Sequence, residues 1–135
     1  MSVHLYYVAH RDTPLSDAER AVLERITDEA WQGLFEEATR KRDEWLRTGE
    51  LTDELIGARE MFEPLTPGSV NDEPGELFFG GSKITASYIG EEPLFAQMGH
   101  YLAALTRLRE AIPDAEWRVH VDEMDIPWEN GRYSV

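Results

Sequence analysis

The residues with the most chemical potential lie near the end of the sequence. His120 and Asp122 form a His-x-Asp pair. Residues two apart on a strand share a face, so both would project to the same side. A two-histidine, one-carboxylate iron site uses such parts. The pair lacks its complement: no histidine follows Asp122, and His4, His10 and His100 are scattered. Polar residues on the solvent side of a half-buried strand are the simpler reading, so no metal or other cofactor is assigned.

Asp122, Glu123, Asp125 and Glu129 place four acids within eight residues, interrupted by Met124, Ile126 and Trp128. A calcium loop needs closer oxygen spacing and a glycine turn. Glycoside hydrolysis needs two carboxylates across a pocket, and no pocket signature accompanies these. What acids around an aromatic can do is bind, because an apolar anchor inside a charged rim is how tight interfaces are built. Asp122, Glu123, Asp125, Trp128 and Glu129 are therefore the candidate partner-binding residues. The alternative is an acidic edge at the end of the fold. Gly80-Gly81-Ser82-Lys83 lacks the spacing of a phosphate loop and leads into no helix. Ser82 has no nucleophile elbow around it. No catalytic set is assigned.

Charge narrows the partner. The chain of 135 residues carries a net charge of −14, with 11 Arg and only Lys41 and Lys83 as lysines. Direct binding to nucleic acid needs a basic footprint, and an anionic membrane surface needs the same, so both are excluded as partners. A basic protein remains, steered in by the acidic field. The other reading of the acidity is compositional background that keeps the protein soluble. There is no cysteine, hence no disulfide and no thiol chemistry. The opening Met-Ser-Val-His-Leu-Tyr-Tyr has no basic region and no apolar run of signal length. The expectation is a cytoplasmic protein with residues 1–135 in one domain. Its oligomeric state is left open.

Two elements must position the acidic segment. Leu94, Met98, Tyr101, Leu105, Leu108 and Ile112 step by fours and threes, with Phe95 and Leu102 widening the stripe. That is a helix, with Pro93 at its first position and Pro113 at its end. Ala96, Gly99 and Ala103 form a strip of small residues that lets another element approach closely. Trp117, Val119 and Val121 then alternate with polar residues, as in a half-buried strand. Met124, Ile126 and Trp128 have the opposite parity, which implies a bulge or tight turn near Asp122-Glu123.

Earlier in the chain, Val3 to His10 is apolar on both faces and reads as a central strand. Arg11 to Pro14 is a loop. Ser16 and Glu19 are spaced as a capping box. Helical spacing then runs to Arg47, as two helices or one kinked helix, with Gly33 as the break and Thr27-Asp28 as a second cap. Among its charges Trp45 reads as exposed, as does Trp128 near the terminus. Thr52 caps a short helix from Asp53 to Met61, and Glu63 to Gly75 is a loop. Gly80-Gly81 joins two strands as a hairpin, the alternative being a glycine bulge in one long strand. The expected fold is α+β, a ferredoxin-like split βαβ in the order β-α-β-β-α-β. It has an antiparallel sheet with helices on one face and a helical insertion after the first helix.

Taken together, the single compact domain, the absence of cysteine, the acid-rich Asp122 to Glu129 and the lack of a catalytic set resemble the small acidic immunity proteins of bacterial toxin systems. The closing Asp114-Ala115-Glu116-Trp117 and Ile126-Pro127-Trp128-Glu129 also look like segments of bacterial proteins of similar size. The resemblance implies a non-catalytic binding module that neutralises a basic toxin such as a nuclease. The alternative is a small enzyme or small-molecule-binding protein with a pocket between the sheet and residues 63–75.

Overall fold

A computed structural model describes residues 3–65, 75–84 and 89–134. The chain runs β1 (His4–His10), α1 (Asp17–Thr48), β2 (Glu76–Lys83), α2 (Glu91–Ala111), β3 (Glu116–Val121), β4 (Met124–Asp125), β5 (Trp128–Glu129) and β6 (Arg132–Tyr133). The first four strands in space form an antiparallel sheet of order β2-β1-β3-β4, and β5-β6 is a separate hairpin. The fold is α+β. Strands β2 and β3 are both antiparallel to β1 and lie on either side of it, so they run in the same direction with β1 between them. As its two-faced apolarity requires, β1 is central.

Strand alternation decides which side is core. Leu5, Tyr7 and Ala9 of β1 are fully buried with Phe78 of β2 and Val119 of β3, in one cluster with α1 and α2. The opposite parity of β1, His4, Tyr6 and Val8, is only half-buried, and His10 is exposed.

Helix α1 starts where its capping box predicts. Glu19 N–H donates to Ser16 Oγ (3.1 Å), and Ser16 N–H donates back to Glu19 Oε1 (2.9 Å). It then runs unbroken for 32 residues and stops at Gly49, whose φ of 82° is left-handed. The expected break does not form. Gly33 serves packing instead: a Cβ there would sit 3.2 Å from the His100 ring of α2. Thr27 is no cap, because its hydroxyl donates to the Leu23 and Glu24 carbonyls inside the helix. Trp45 is only 1% exposed, against expectation. It continues the stripe Leu23, Ile26, Ala30, Leu34, Ala38, and its charged sequence neighbours occupy the other faces.

No helix forms over Asp53 to Met61, so the predicted insertion is irregular turns. Asp53 bonds the Leu55 N–H in a local turn, and Arg42 of α1 donates to the Ile56 and Glu54 carbonyls. These contacts compete with helical pairing. Nor is Gly80-Gly81 a hairpin turn. Both glycines lie within β2, paired with Tyr7 and Tyr6. Neither has the positive φ a two-residue hairpin demands. The four-stranded ferredoxin-like order is thus not established; the residues after Ile84 that were to form its third strand lie mostly outside the described ones.

Helix α2 begins at Glu91, two residues before Pro93, with Gly90 as an N-cap that offers no side chain. Glu50 substitutes: its carboxylate accepts from the Glu92 N–H (3.2 Å) and its carbonyl from the Gly90 N–H (2.6 Å). The turn expected at Asp122-Glu123 is present, with Asp122 at φ 48° joining β3 to β4. Among the described residues no helix is long and apolar enough to cross a membrane.

Candidate functional site

The acidic segment splits into two kinds of residue. Asp122, Glu123, Asp125 and Glu129 are exposed. Of their apolar companions, Ile126 is buried in the core and Trp128 is half-buried, while Met124 is 61% exposed. Trp128 is sandwiched rather than presented. The Arg109 guanidinium lies 4.3 Å over its ring, and Tyr133 meets it edge-on at 4.9 Å. Arg109 Nη1 also donates to the Tyr133 hydroxyl (3.2 Å), and Thr106 Oγ1 accepts the Tyr133 N–H (3.1 Å). Trp128 thus clamps the β5-β6 hairpin onto α2 and is not a free anchor. Two of the acids are also engaged. Asp125 accepts from Arg118 Nε (2.8 Å), and Asp122 Oδ1 from the His4 N–H (3.2 Å).

The same turn occupies the His-x-Asp pair. His120 Nδ1 lies 2.5 Å from the Asp122 carbonyl oxygen. Among the described residues no group of three or more His, Asp or Glu side chains converges on a metal position. Ser82 is fully buried, bonded to the Tyr7 hydroxyl (3.1 Å) and donating to the Pro64 carbonyl (2.9 Å). Gln97, buried beside it, donates to the Lys83 carbonyl (3.0 Å). The Lys83 N–H on the outer edge of β2 is taken by Glu63 Oε2 (2.7 Å). The Tyr101 hydroxyl donates to the Glu63 carbonyl, and its burial pushes its pKa up, keeping it a donor. These polar groups fix the start of the 63–75 segment, and they leave Ser82 inaccessible as a nucleophile. The rest of that segment, where the small-molecule pocket was expected, falls outside the described residues up to Gly75.

A different surface combines exposure, apolarity and charge. Helices α1 and α2 run antiparallel, bridged by Arg107 to Glu29 (2.7 Å) and by His100 to Glu37 (3.0 Å). Toward the N-terminus of α2 they enclose an open groove of about 710 Å³. Its floor is the small-residue strip Ala96, Gly99 and Ala103, and a Cβ on Gly99 would meet nothing within 4 Å. No described element fills the close approach that this strip allows. Phe95 stands beside it, 64% exposed, although periodicity placed it on the edge of the core stripe. Glu37, Glu44 and Glu92 line the groove against one cation, Lys41. Burial pushes Glu37 up, but hydrogen bonds from His100 and Lys41 outweigh it and bring its pKa below the usual carboxylate value. Glu37 therefore stays ionised at neutral pH. At the same end of the molecule Leu55, 88% exposed, lies beside Asp53 and Glu54.

The sequence reading missed this groove because Phe95 fits the helical period. The available signal was the neighbouring strip of small residues, which cannot fill the space beside a large ring. No family model, curated protein or solved structure matches the chain.

Proposed function

We infer that this is a non-catalytic binding protein for a basic protein partner, and that the partner docks on the α1-α2 groove. The observation that carries the reading is Phe95, 64% exposed on an open floor of Ala96, Gly99 and Ala103 and flanked by Glu37, Glu44 and Glu92. It is an apolar anchor within an anionic rim, the pattern of an interface hot spot. The net charge of −14 supplies the long-range attraction, and the exposed Asp122, Glu123, Asp125 and Glu129 add to that field without themselves forming the contact.

An immunity protein that neutralises a basic toxin, such as a nuclease, in a bacterial cytoplasm is the specific form of this function we propose. Carboxylates at the rim would occupy the positive site that the toxin offers to phosphates. The scaffold we read as ferredoxin-like in origin, with the segment Met61 to Leu65 beside the outer edge of β2 in place of a regular strand. Such folds host many activities, so the scaffold lends the function no weight.

Affinity capture from the native host at low salt tests the function. The expected result is a basic protein that is released as salt rises. Phe95→Asp and the double charge reversal Glu44→Lys, Glu92→Lys should each weaken its binding by about tenfold or more. Recovery of no basic partner at low or moderate salt overturns the reading. A metabolite that raises the melting temperature by several degrees would favour a small-molecule ligand instead.

A further inference from the structure

The turn between β5 and β6 brings a reactive pair of residues to the surface. Asn130 and Gly131 are both exposed, and Glu129 pairs with Arg132 on either side of them. An asparagine followed by glycine can cyclise, because no side chain shields the glycine nitrogen from the asparagine amide. Nothing else blocks that approach here: a Cβ on Gly131 would meet nothing within 4 Å. Among the described residues neither the Asn130 side chain nor the Gly131 N–H is held by a hydrogen bond.

What restrains the pair is the turn itself. Consecutive φ values of 55° and 75° are those of a type I′ turn. In that conformation ψ at Asn130 is roughly +30°. The Asn130 Cβ and the Gly131 nitrogen then lie nearly opposite across the Cα–C bond, so the ring cannot close until the turn comes apart. The turn is only as secure as the docking of its hairpin on α2, since each strand has two residues. Arg109 lies over the Trp128 and Tyr133 rings (4.3 and 5.7 Å) and bonds the Tyr133 hydroxyl, and the Tyr133 N–H bonds Thr106 Oγ1. Small elements near a chain end open locally at a fraction of the cost of global unfolding.

We propose that Asn130 is a deamidation site guarded by the docking of the β5-β6 hairpin, and that its conversion acts as a one-way latch. When the hairpin lifts, the Gly131 nitrogen loses its proton to solvent base and attacks Asn130 Cγ. The N–Cγ bond forms, the side-chain amide nitrogen leaves as ammonia, and a five-membered succinimide results. Water opens that ring at either carbonyl, leaving aspartate or isoaspartate at position 130. Water is the only co-reactant. Isoaspartate carries the backbone through its own side chain, which adds a backbone atom to a two-residue turn. The type I′ geometry cannot re-form, the register of Trp128 with Tyr133 is lost, and Trp128 stays off Arg109. The aspartate product keeps the ordinary backbone and docks again. Either product makes the chain one charge more negative than −14.

Anion-exchange chromatography with peptide mapping follows conversion at Asn130 in the full chain, at mildly alkaline pH and physiological temperature. The rate should rise from the wild type to Arg109→Met to the chain unfolded in urea, with Arg109→Met about tenfold faster than the wild type. Thr106→Val, which removes only the acceptor of the Tyr133 N–H, should fall between the wild type and Arg109→Met. Asn130→Gln should abolish the change. In the purified isoaspartate form the Tyr133 amide should lose its protection from hydrogen exchange. Asn130→Asp, with the same charge on an ordinary backbone, should keep it. Equal rates in the wild type and both loosened variants overturn the guarding role, as does a wild type that converts as fast as the unfolded chain. No conversion even in urea overturns the site. An isoaspartate form with Tyr133 still protected overturns the latch.

Discussion

Arg11 joins three parts of the chain through one planar group. Its five N–H donors are all used: Nε to the Thr13 carbonyl (2.8 Å), Nη1 to Glu19 Oε2 and Asp114 Oδ1 (both 2.9 Å), Nη2 to Glu19 Oε1 (2.9 Å) and the Pro14 carbonyl (3.0 Å). The side chain is only 10% exposed. Glu19 is held in a bidentate pair while it also closes the capping box, so one carboxylate ties the β1-α1 loop to the start of α1. Arg11 first, then the Ser16 N–H, pull its pKa down to about 2 from an ordinary 4.5. A carboxylate depressed in the folded state stabilises fully above its unfolded pKa, and the contribution disappears as pH falls through the folded value. The window is therefore about pH 4.5 down to about 2. Urea unfolding across that range should show stability falling with pH in the wild type and a flatter dependence in Glu19→Gln. Arg11→Ala should lower the melting temperature at neutral pH by several degrees and flatten the same limb. An unchanged acid limb in Arg11→Ala would show that the pair does not set it. The capping box was legible because its spacing is local. Arg11 was not, because Asp114 reaches it only after the chain has folded.

Helix α1 shows how an element can override its own weak point. Glycine in a helix interior is worse than alanine by about 1 kcal/mol, yet α1 runs straight through Gly33. The reason is the neighbouring helix: the missing Cβ makes room for His100, which bonds Glu37 at 3.0 Å. Gly33→Ala alone should therefore gain less than the ~1 kcal/mol of helix propensity, because the His100 ring must shift by a few tenths of an ångström. In a His100→Ala background the same change should gain the full amount. Chemical denaturation of the four proteins in this cycle measures the coupling, and additive effects would remove the packing explanation. This marks the limit of periodic reading. It located α1, α2, β1 and β3, because each buries one face and repeats accordingly. It could not tell a breaking glycine from a packing one at Gly33 or at Gly81, since both depend on a ring supplied from elsewhere in the chain. It also passed over Asn130-Gly131. Their φ values of 55° and 75° make the β5-β6 turn, and that turn directs Trp128 onto Arg109 rather than into solvent.

Across the whole molecule the excess of acid opposes compaction, and the few ion pairs do not offset it. Pairs such as Arg107-Glu29 and Arg118-Asp125 are half-exposed and contribute about 0–1 kcal/mol each. A net charge of −14 on 135 residues acts over longer distances, between carboxylates that are not in contact. At low ionic strength the screening length is roughly 30 Å, comparable to the protein itself, so nearly every acid repels every other. At about 0.15 M it falls to roughly 8 Å, which removes most of that repulsion but little of a pair held at 2.7–2.9 Å. Added sodium chloride should therefore raise the melting temperature, most steeply below about 0.15 M. The same screening should weaken attraction between the acidic groove rim and a basic partner. Thermal unfolding and partner capture over one salt series measure both effects. A melting temperature that fell with added salt would mean that local ion pairs, rather than the summed field, dominate the electrostatics of the fold.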